Sequence, residues 1–211
     1  MKTKIKICGI TRLEDALYAK EKGAWAIGFI FYKNSKRYID PQKAGEISYI
    51  VNKDIEKIGV FVNCSKDEIV KISNTAKLTM IQLHGSEPPE FCREINLKTK
   101  LPVIKAFRIK AKKDLEKIKD YQNSVFAILL DSYSDKEYGG TGICFDLAIL
   151  KNAQFFEMPV ILAGGINPEN IKTVYELIKP YAIDVSSGIE TEKGIKDKEK
   201  IKKLFEIVLK S

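Results

Sequence analysis

Short runs of β-branched and other apolar residues alternate with longer amphipathic stretches from one end of the chain to the other. A run of four to seven apolar residues is too short for a buried helix and reads as a strand covered on both faces, whereas apolar residues recurring every three or four positions read as a helix. The pattern predicts eight strands, at residues 4–8, 26–31, 57–62, 79–83, 103–108, 125–131, 160–163 and 182–185. Between and after them it predicts eight helices, at residues 13–22, 41–51, 66–76, 88–96, 112–121, 146–152, 168–178 and 197–209. Asp40-Pro41 and Asn167-Pro168 mark two helix starts, each pairing a capping side chain with a proline suited to the first turn. Strict strand–helix alternation predicts a parallel sheet of βα units. Eight units in 211 residues is about 26 residues each, a compact single-domain α/β (β/α)8 barrel spanning residues 1–211. The alternative, an open doubly wound sheet, would carry G-x-G-x-x-G after its first strand, and Cys8-Gly9-Ile10-Thr11 is not that motif.

The last two predicted strands end in unusual turns. Pro159-Val-Ile-Leu-Ala163 runs into Gly164-Gly165, and Tyr181-Ala-Ile-Asp-Val185 runs into Ser186-Ser187-Gly188. One glycine turn is most simply a tight turn, and serines often do no more than cap a helix. Two in tandem after strands seven and eight of a barrel form the place where backbone N–H groups commonly hold a substrate phosphate.

A hydrophobic fraction of 45% with 30% charged residues is that of a globular chain, and no apolar run approaches the roughly 20 residues of a membrane span. The N-terminal segment Met1 to Cys8 has no apolar signal core, so a cytoplasmic protein is expected. Cys8, Cys64, Cys92 and Cys144 form no Cys-x-x-Cys pair and are expected to be reduced thiols. With His84 as the single histidine, a multi-histidine metal site is excluded. The net charge of +8 is spread over helices in which acidic residues alternate with lysines, as on solvated faces, and no basic run or aromatic-basic motif points to nucleic acid. An anionic small-molecule substrate suits such a protein equally well.

In a barrel, chemistry gathers at the C-terminal ends of the strands. There the chain places Cys8, Arg37, Asn63, His84, Arg108, Asp131 and the two terminal turns. Buried cysteine is often only a small apolar filler. Its position at the mouth favours a function for Cys8, since cations or a helix terminus can stabilise a thiolate there. Asp131 closes the apolar run Val125 to Leu130, so desolvation is expected to raise its pKa towards that of a proton donor; the plainer reading is a structural aspartate capping the next loop. That loop, 132–142, contains Gly139-Gly140-Thr141-Gly142 and reads as a lid. Arg37 offers a planar fork that matches a carboxylate, and His84 suits either shaping the pocket or moving a proton.

These segments together resemble the phosphoribosylanthranilate isomerases of tryptophan biosynthesis. The likeness rests on Lys6-Ile-Cys-Gly-Ile-Thr11, Gly59-Val-Phe-Val-Asn63, Ile81-Gln-Leu-His-Gly85, Leu130-Asp131, Gly139-Gly-Thr-Gly142 with Phe145-Asp146, Leu162-Ala-Gly-Gly-Ile-Asn-Pro168 and Asp184-Val-Ser-Ser-Gly-Ile-Glu190. Leu147 departs from the aromatic residue expected after Phe-Asp, at a packing position near the predicted lid. The resemblance implies a cofactor-free, metal-free Amadori rearrangement of N-(5-phosphoribosyl)anthranilate; the sequence itself is compatible with a monomer or a homodimer. Asp131 would be the general acid and Cys8, as thiolate, the general base. Arg37 would hold the anthranilate carboxylate, with Gly164, Gly165, Ser186, Ser187 and Gly188 around the phosphate and His84 beside the substrate.

Other sugar-phosphate barrels compete with this reading. An indole-glycerol-phosphate synthase would ask for a catalytic lysine at a strand end, for which Lys105 is the nearest candidate, and a metal-dependent epimerase would ask for two histidines. A basic interaction protein using the barrel as scaffold would leave the mouth residues unexplained.

Overall fold

In the computed structural model, which describes residues 3–132 and 156–210, eight parallel strands close into a barrel in sequence order, with β8 pairing back to β1. They are β1 (Lys4–Cys8), β2 (Ala26–Ile30), β3 (Glu56–Phe61), β4 (Met80–Leu83), β5 (Val103–Ile109), β6 (Ala127–Ser132), β7 (Val160–Ala163) and β8 (Ala182–Val185). All eight predicted strands are present, and β1, β7 and β8 have the predicted bounds. The outer layer contains α1 (Leu13–Glu21), α2 (Pro41–Val51), α3 (Lys66–Thr75), α4 (Pro89–Thr99), α5 (Ile171–Ile178) and α6 (Lys198–Lys210). The predicted helix at 146–152, most of the predicted lid, Cys144 and Leu147 lie outside the described residues. No helix among the described residues is long and apolar enough to cross a membrane.

Two predicted helices differ from expectation in type or in start, and the one expected to end at residue 96 runs on to Thr99. Residues 112–121 form a 3-10 helix, Lys112–Tyr121, whose two buried apolar residues, Leu115 and Ile118, stand three apart and so line up on a three-residue turn. Asp114 secures its entry by accepting from the backbone N–H groups of Lys110 and Ala111 at 2.8 and 2.9 Å. The helix expected to start at Pro168 starts at Ile171. Asn167 spends its side-chain oxygen on the N–H groups of Glu169 and Asn170, which forms a turn ahead of the helix. At the other predicted start, Asp40 accepts from Gln42 N at 2.8 Å and from Lys43 N, as a cap should.

Alternation along the strands decides what faces the site. Ala26, Ile58, Met80, Ile104, Ala106, Ala127, Leu129, Ile161, Ala163 and Ala182 form one apolar cluster inside the barrel, while the intervening strand residues pack outwards against the helices. A further step of two residues leads from Ile58 to Val60, from Leu129 to Asp131, and from Ala182 to Asp184 and Ser186. The same parity carries Met80 to Gln82 and His84, so the mouth is furnished by inward positions of the strands below it.

Beneath that mouth the barrel holds a buried ion pair. Lys6 Nζ on β1 lies 2.7 Å from Asp184 Oδ2 on β8, with the lysine side chain fully buried. Removing one partner strands the other charge, so Lys6→Met is expected to destabilise the protein by about 3–5 kcal/mol. Adding Asp184→Leu to Lys6→Met should recover most of that loss; urea midpoints at constant m-value check both expectations.

Candidate active site

A cavity of ≈ 230 Å³ opens at the C-terminal end of the barrel, and Cys8, Arg37, His84, Asp131, Gly164, Gly165, Ser186 and Ser187 are among the residues lining it. Eight of the nine expected site residues therefore meet in one place. Gly188 does not line the cavity. A Cβ there would stand 2.0 Å from Ile166 O, so its lack of a side chain lets the two terminal turns pack together.

Cys8 ends β1 with its thiol buried beside Lys6. Room for it comes from Gly28 on the neighbouring strand, where a Cβ would lie 2.7 Å from Cys8 Sγ and 3.2 Å from Lys6 Cε. Burial pushes the thiol above its ordinary pKa and the Asp184 carboxylate adds to the rise, against the opposing pull of Lys6 and Lys196. The expectation of a thiolate stabilised by nearby cations is thus reversed for the ligand-free protein. Two cations are close, but desolvation and a carboxylate outweigh them. Burial alone would lower the pKa of the Lys6 ammonium, but Asp184 and Cys8 carry it above its ordinary value.

Asp131 stands across the mouth, its Oδ2 3.3 Å from His84 Nε2, with a side chain 28% exposed. The apolar run before it packs alternately inwards and outwards, so it does not wall the carboxyl group in as the sequence suggests. On the far side of the His84 ring, Nδ1 lies 3.1 Å from Gln82 Nε2. Gln82 Oε1 in turn accepts from Lys6 Nζ at 2.8 Å.

Arg37 reaches the cavity from the loop after β2, and Gly9, just after β1 and at φ +77°, leaves space for its stem. Its Nε and Nη2 make a two-pronged contact with Glu190, with a shortest distance of 2.6 Å. That leaves both Nη1–H groups and the second Nη2–H of the guanidinium as donors for a ligand carboxylate. Burial would raise the Glu190 carboxyl, but hydrogen bonds from Arg37 and Lys196 hold it below its usual range. Glu190 sits at the start of a short hairpin, β9 (Glu190–Glu192) and β10 (Ile195–Lys196), which the strand pattern did not predict.

Gly164 and Gly165 have φ of +99° and +62°, two consecutive positive-φ positions that a residue without a Cβ adopts at no steric cost. Ser186 follows β8 and leads into a 3-10 turn, Ser187–Ile189. Ser186 Oγ and Asp184 Oδ1 are buried without a hydrogen-bond partner among the described residues, and both side chains line the cavity. The Ser186 hydroxyl in that condition can donate to a ligand oxygen, whereas Asp184 Oδ1 can only accept, as from a ligand hydroxyl.

Sequence reasoning missed Lys6, Gln82, Asp184 and Glu190. Each is polar within or just beyond an apolar strand, a signal of function or of a buried partner. Lys105, the candidate for a synthase-type lysine, does not line this cavity. Its Nζ contacts Glu87 Oε2 at 3.1 Å and the backbone oxygens of Gly85, Ala106 and Leu83.

Comparison with known proteins shows what this arrangement accompanies elsewhere. Residues 5–207 match the family model described as N-(5'-phosphoribosyl)anthranilate (PRA) isomerase. An N-(5'-phosphoribosyl)anthranilate isomerase of Trichlorobacter lovleyi is 42% identical over 202 residues, covering 96% of each chain. The crystal structure of phosphoribosyl anthranilate isomerase from Thermotoga maritima superposes with a TM-score of 0.90 at 41% identity, covering 99% of this chain and 100% of that one. A further such structure, in complex with reduced 1-(o-carboxyphenylamino)-1-deoxyribulose 5-phosphate, gives a TM-score of 0.89 at 38% identity, covering 99% of this chain and 100% of that one.

Proposed function

The chain belongs to the N-(5'-phosphoribosyl)anthranilate isomerase family, and from that premise we propose that Asp131 and Cys8 perform the isomerisation as general acid and general base. The enzyme acts in tryptophan biosynthesis, converting N-(5'-phosphoribosyl)anthranilate to 1-(2-carboxyphenylamino)-1-deoxyribulose 5-phosphate by an Amadori rearrangement. The observation that supports the residue roles is that Cys8 and Asp131 line one cavity whose other walls are the glycine and serine turns and Arg37.

The Asp131 carboxyl group gives its proton to the ribose ring oxygen as the C1–O bond breaks, and the nitrogen lone pair closes a protonated imine. The Cys8 thiolate then removes the proton from C2. The C2–H electrons form the C1=C2 bond, and the imine π electrons return to nitrogen as an enolamine. The enolamine becomes the ketone by losing the proton on the C2 hydroxyl and gaining one at C1. The imine cation is itself the electron sink, so the chemistry asks for no metal or organic cofactor. Its positive charge also favours ionisation of a nearby thiol, in the sense opposite to burial and Asp184. The base is thus drawn out after the ring has opened.

The phosphate is held at Gly164, Gly165, Ser186 and Ser187, with Gly188 keeping those turns together. The Nη1–H groups and second Nη2–H of Arg37 take the anthranilate carboxylate while Glu190 holds the rest of the guanidinium still, and His84 acts on Asp131. Free Cys8, Cys64 and Cys92 fit a reducing cytoplasm. The whole chain is read as one domain working on a small anionic substrate, as monomer or homodimer and without a nucleic-acid or membrane partner.

The test is direct. Wild-type protein mixed with freshly prepared phosphoribosylanthranilate is expected to quench its fluorescence as fast with chelator as without. A folded protein that leaves the fluorescence unchanged would be no isomerase of this substrate.

A further inference from the structure

The ring of His84 is held between two polar partners, and the partner remote from Asp131 decides how it is protonated. A neutral imidazole has one N–H, and the nitrogen that carries it depends on what the other nitrogen meets. His84 Nδ1 meets the side-chain nitrogen of Gln82 at 3.1 Å, and the oxygen of the same amide lies 2.8 Å from Lys6 Nζ. An ammonium group only donates. Buried and held by Asp184 at 2.7 Å, Lys6 can face only the oxygen of the Gln82 amide, because the reversed amide would set NH2 against NH3+. The Gln82 NH2 group must then point at His84 Nδ1, and it too only donates. Nδ1 is left to accept with its lone pair, and the ring hydrogen falls on Nε2, 3.3 Å from Asp131 Oδ2.

We infer that Lys6 and Gln82 hold His84 as the neutral Nε2–H tautomer and direct that hydrogen at the Asp131 carboxyl group, which makes both of them positioning residues for the general acid. One consequence follows. Oδ2 of Asp131 is an acceptor, so the proton it delivers rides on Oδ1, and the same N–H steadies the carboxylate after delivery.

The catalytic part of this inference rests on Asp131 being the acid, whereas the tautomer does not, and the test separates them. His84 is the single histidine of the chain, so 15N-labelled protein gives one pair of imidazole nitrogens. In the wild type near neutral pH, Nε2 is expected at a pyrrole-type shift and Nδ1 at a pyridine-type shift. Gln82→Glu puts an acceptor where the donor was, at nearly unchanged volume. It is expected to bring a hydrogen onto Nδ1 and form an imidazolium that holds Asp131 as its carboxylate. The kcat should then fall about tenfold or more with KM little changed, the scale of one misdirected charge-assisted hydrogen bond. A wild-type ring with its hydrogen on Nδ1 would overturn the inference by itself, even if the variant folds poorly. So would a Gln82→Glu ring whose Nδ1 stays bare, and an unchanged kcat with Nδ1 protonated would remove the positioning role. If instead Asp131 is not the acid, Asp131→Asn keeps its turnover while the wild-type tautomer stands.

Discussion

Cys8→Ala is expected to lower kcat by about 10²- to 10⁴-fold, the range a positioned general base contributes, with KM changed little. The expected loss is large because nothing else at the β1 end can replace the thiol. Lys6 is fully buried in its pair with Asp184 and is protonated, so it has no lone pair to offer. Cys8→Ser keeps the shape but substitutes a far weaker acid, whose oxyanion is scarcer still, so it should be comparably slow. The packing cost is small, since alanine fits the space that Gly28 leaves, and melting curves should show both variants folded. The raised thiol gives a second readout with a definite sign. Alkylation follows the thiolate, and a pKa above the ordinary 9.0 means less thiolate at any given pH. In ligand-free protein, the rate of iodoacetamide modification at Cys8, resolved by mass spectrometry, should therefore still be climbing above pH 9.0. A rate that levels off below that value would mean that Lys6 and Lys196 dominate after all, and that the thiolate is ready before substrate arrives.

Asp131→Asn is expected to cost a similar factor, again about 10²- to 10⁴-fold in kcat, because it removes the proton donor and leaves the shape. Asparagine can keep its carbonyl oxygen towards His84 Nε2–H, so the ring and the wall of the cavity stay in place and affinity for a product analogue should be nearly unchanged. The two variants fail at different steps. Asp131→Asn should stall before ring opening, whereas Cys8→Ala should open the ring and then hold the proton on C2. Substrate labelled with deuterium at C2 distinguishes them. Where removal of that hydrogen limits the rate, Cys8→Ala should show a kinetic isotope effect and Asp131→Asn should not. Wild-type turnover in Asp131→Asn would take the residue out of the mechanism and leave the ring-opening proton to solvent or to His84.

Much of this site can be read along the chain because strand parity reads directly from sequence. Once residues 127–132 are a strand, Leu129 and Asp131 share a face, and the same rule puts Gln82 with His84 and Asp184 with Ser186. The terminal turns are equally local, since left-handed backbone at Gly164 and Gly165 needs glycine and little else. Helix ends were less legible. Asn167 could cap a helix or a turn, and only the finished loop chooses the turn.

What the sequence determined by itself is the order of strands and helices, the barrel they imply, and the thiol, carboxyl group and glycine and serine turns at its mouth. These rest on interactions within about one βα unit, where residue type and spacing set the outcome. What only the tertiary structure decided is the pairing of charges across the closed barrel. Lys6 meets Asp184 from 178 residues away, and Arg37 meets Glu190 from 153 residues away. Gln82 joins Lys6 to His84 only because β1 and β4 face one another across the interior. The sense of the Cys8 shift is decided there too. The chain shows which cations and carboxylates are available, but distances and burial determine which of them governs the thiol. Electrostatics in a desolvated space depends on separations of a few ångströms, and closure of the barrel is what sets them.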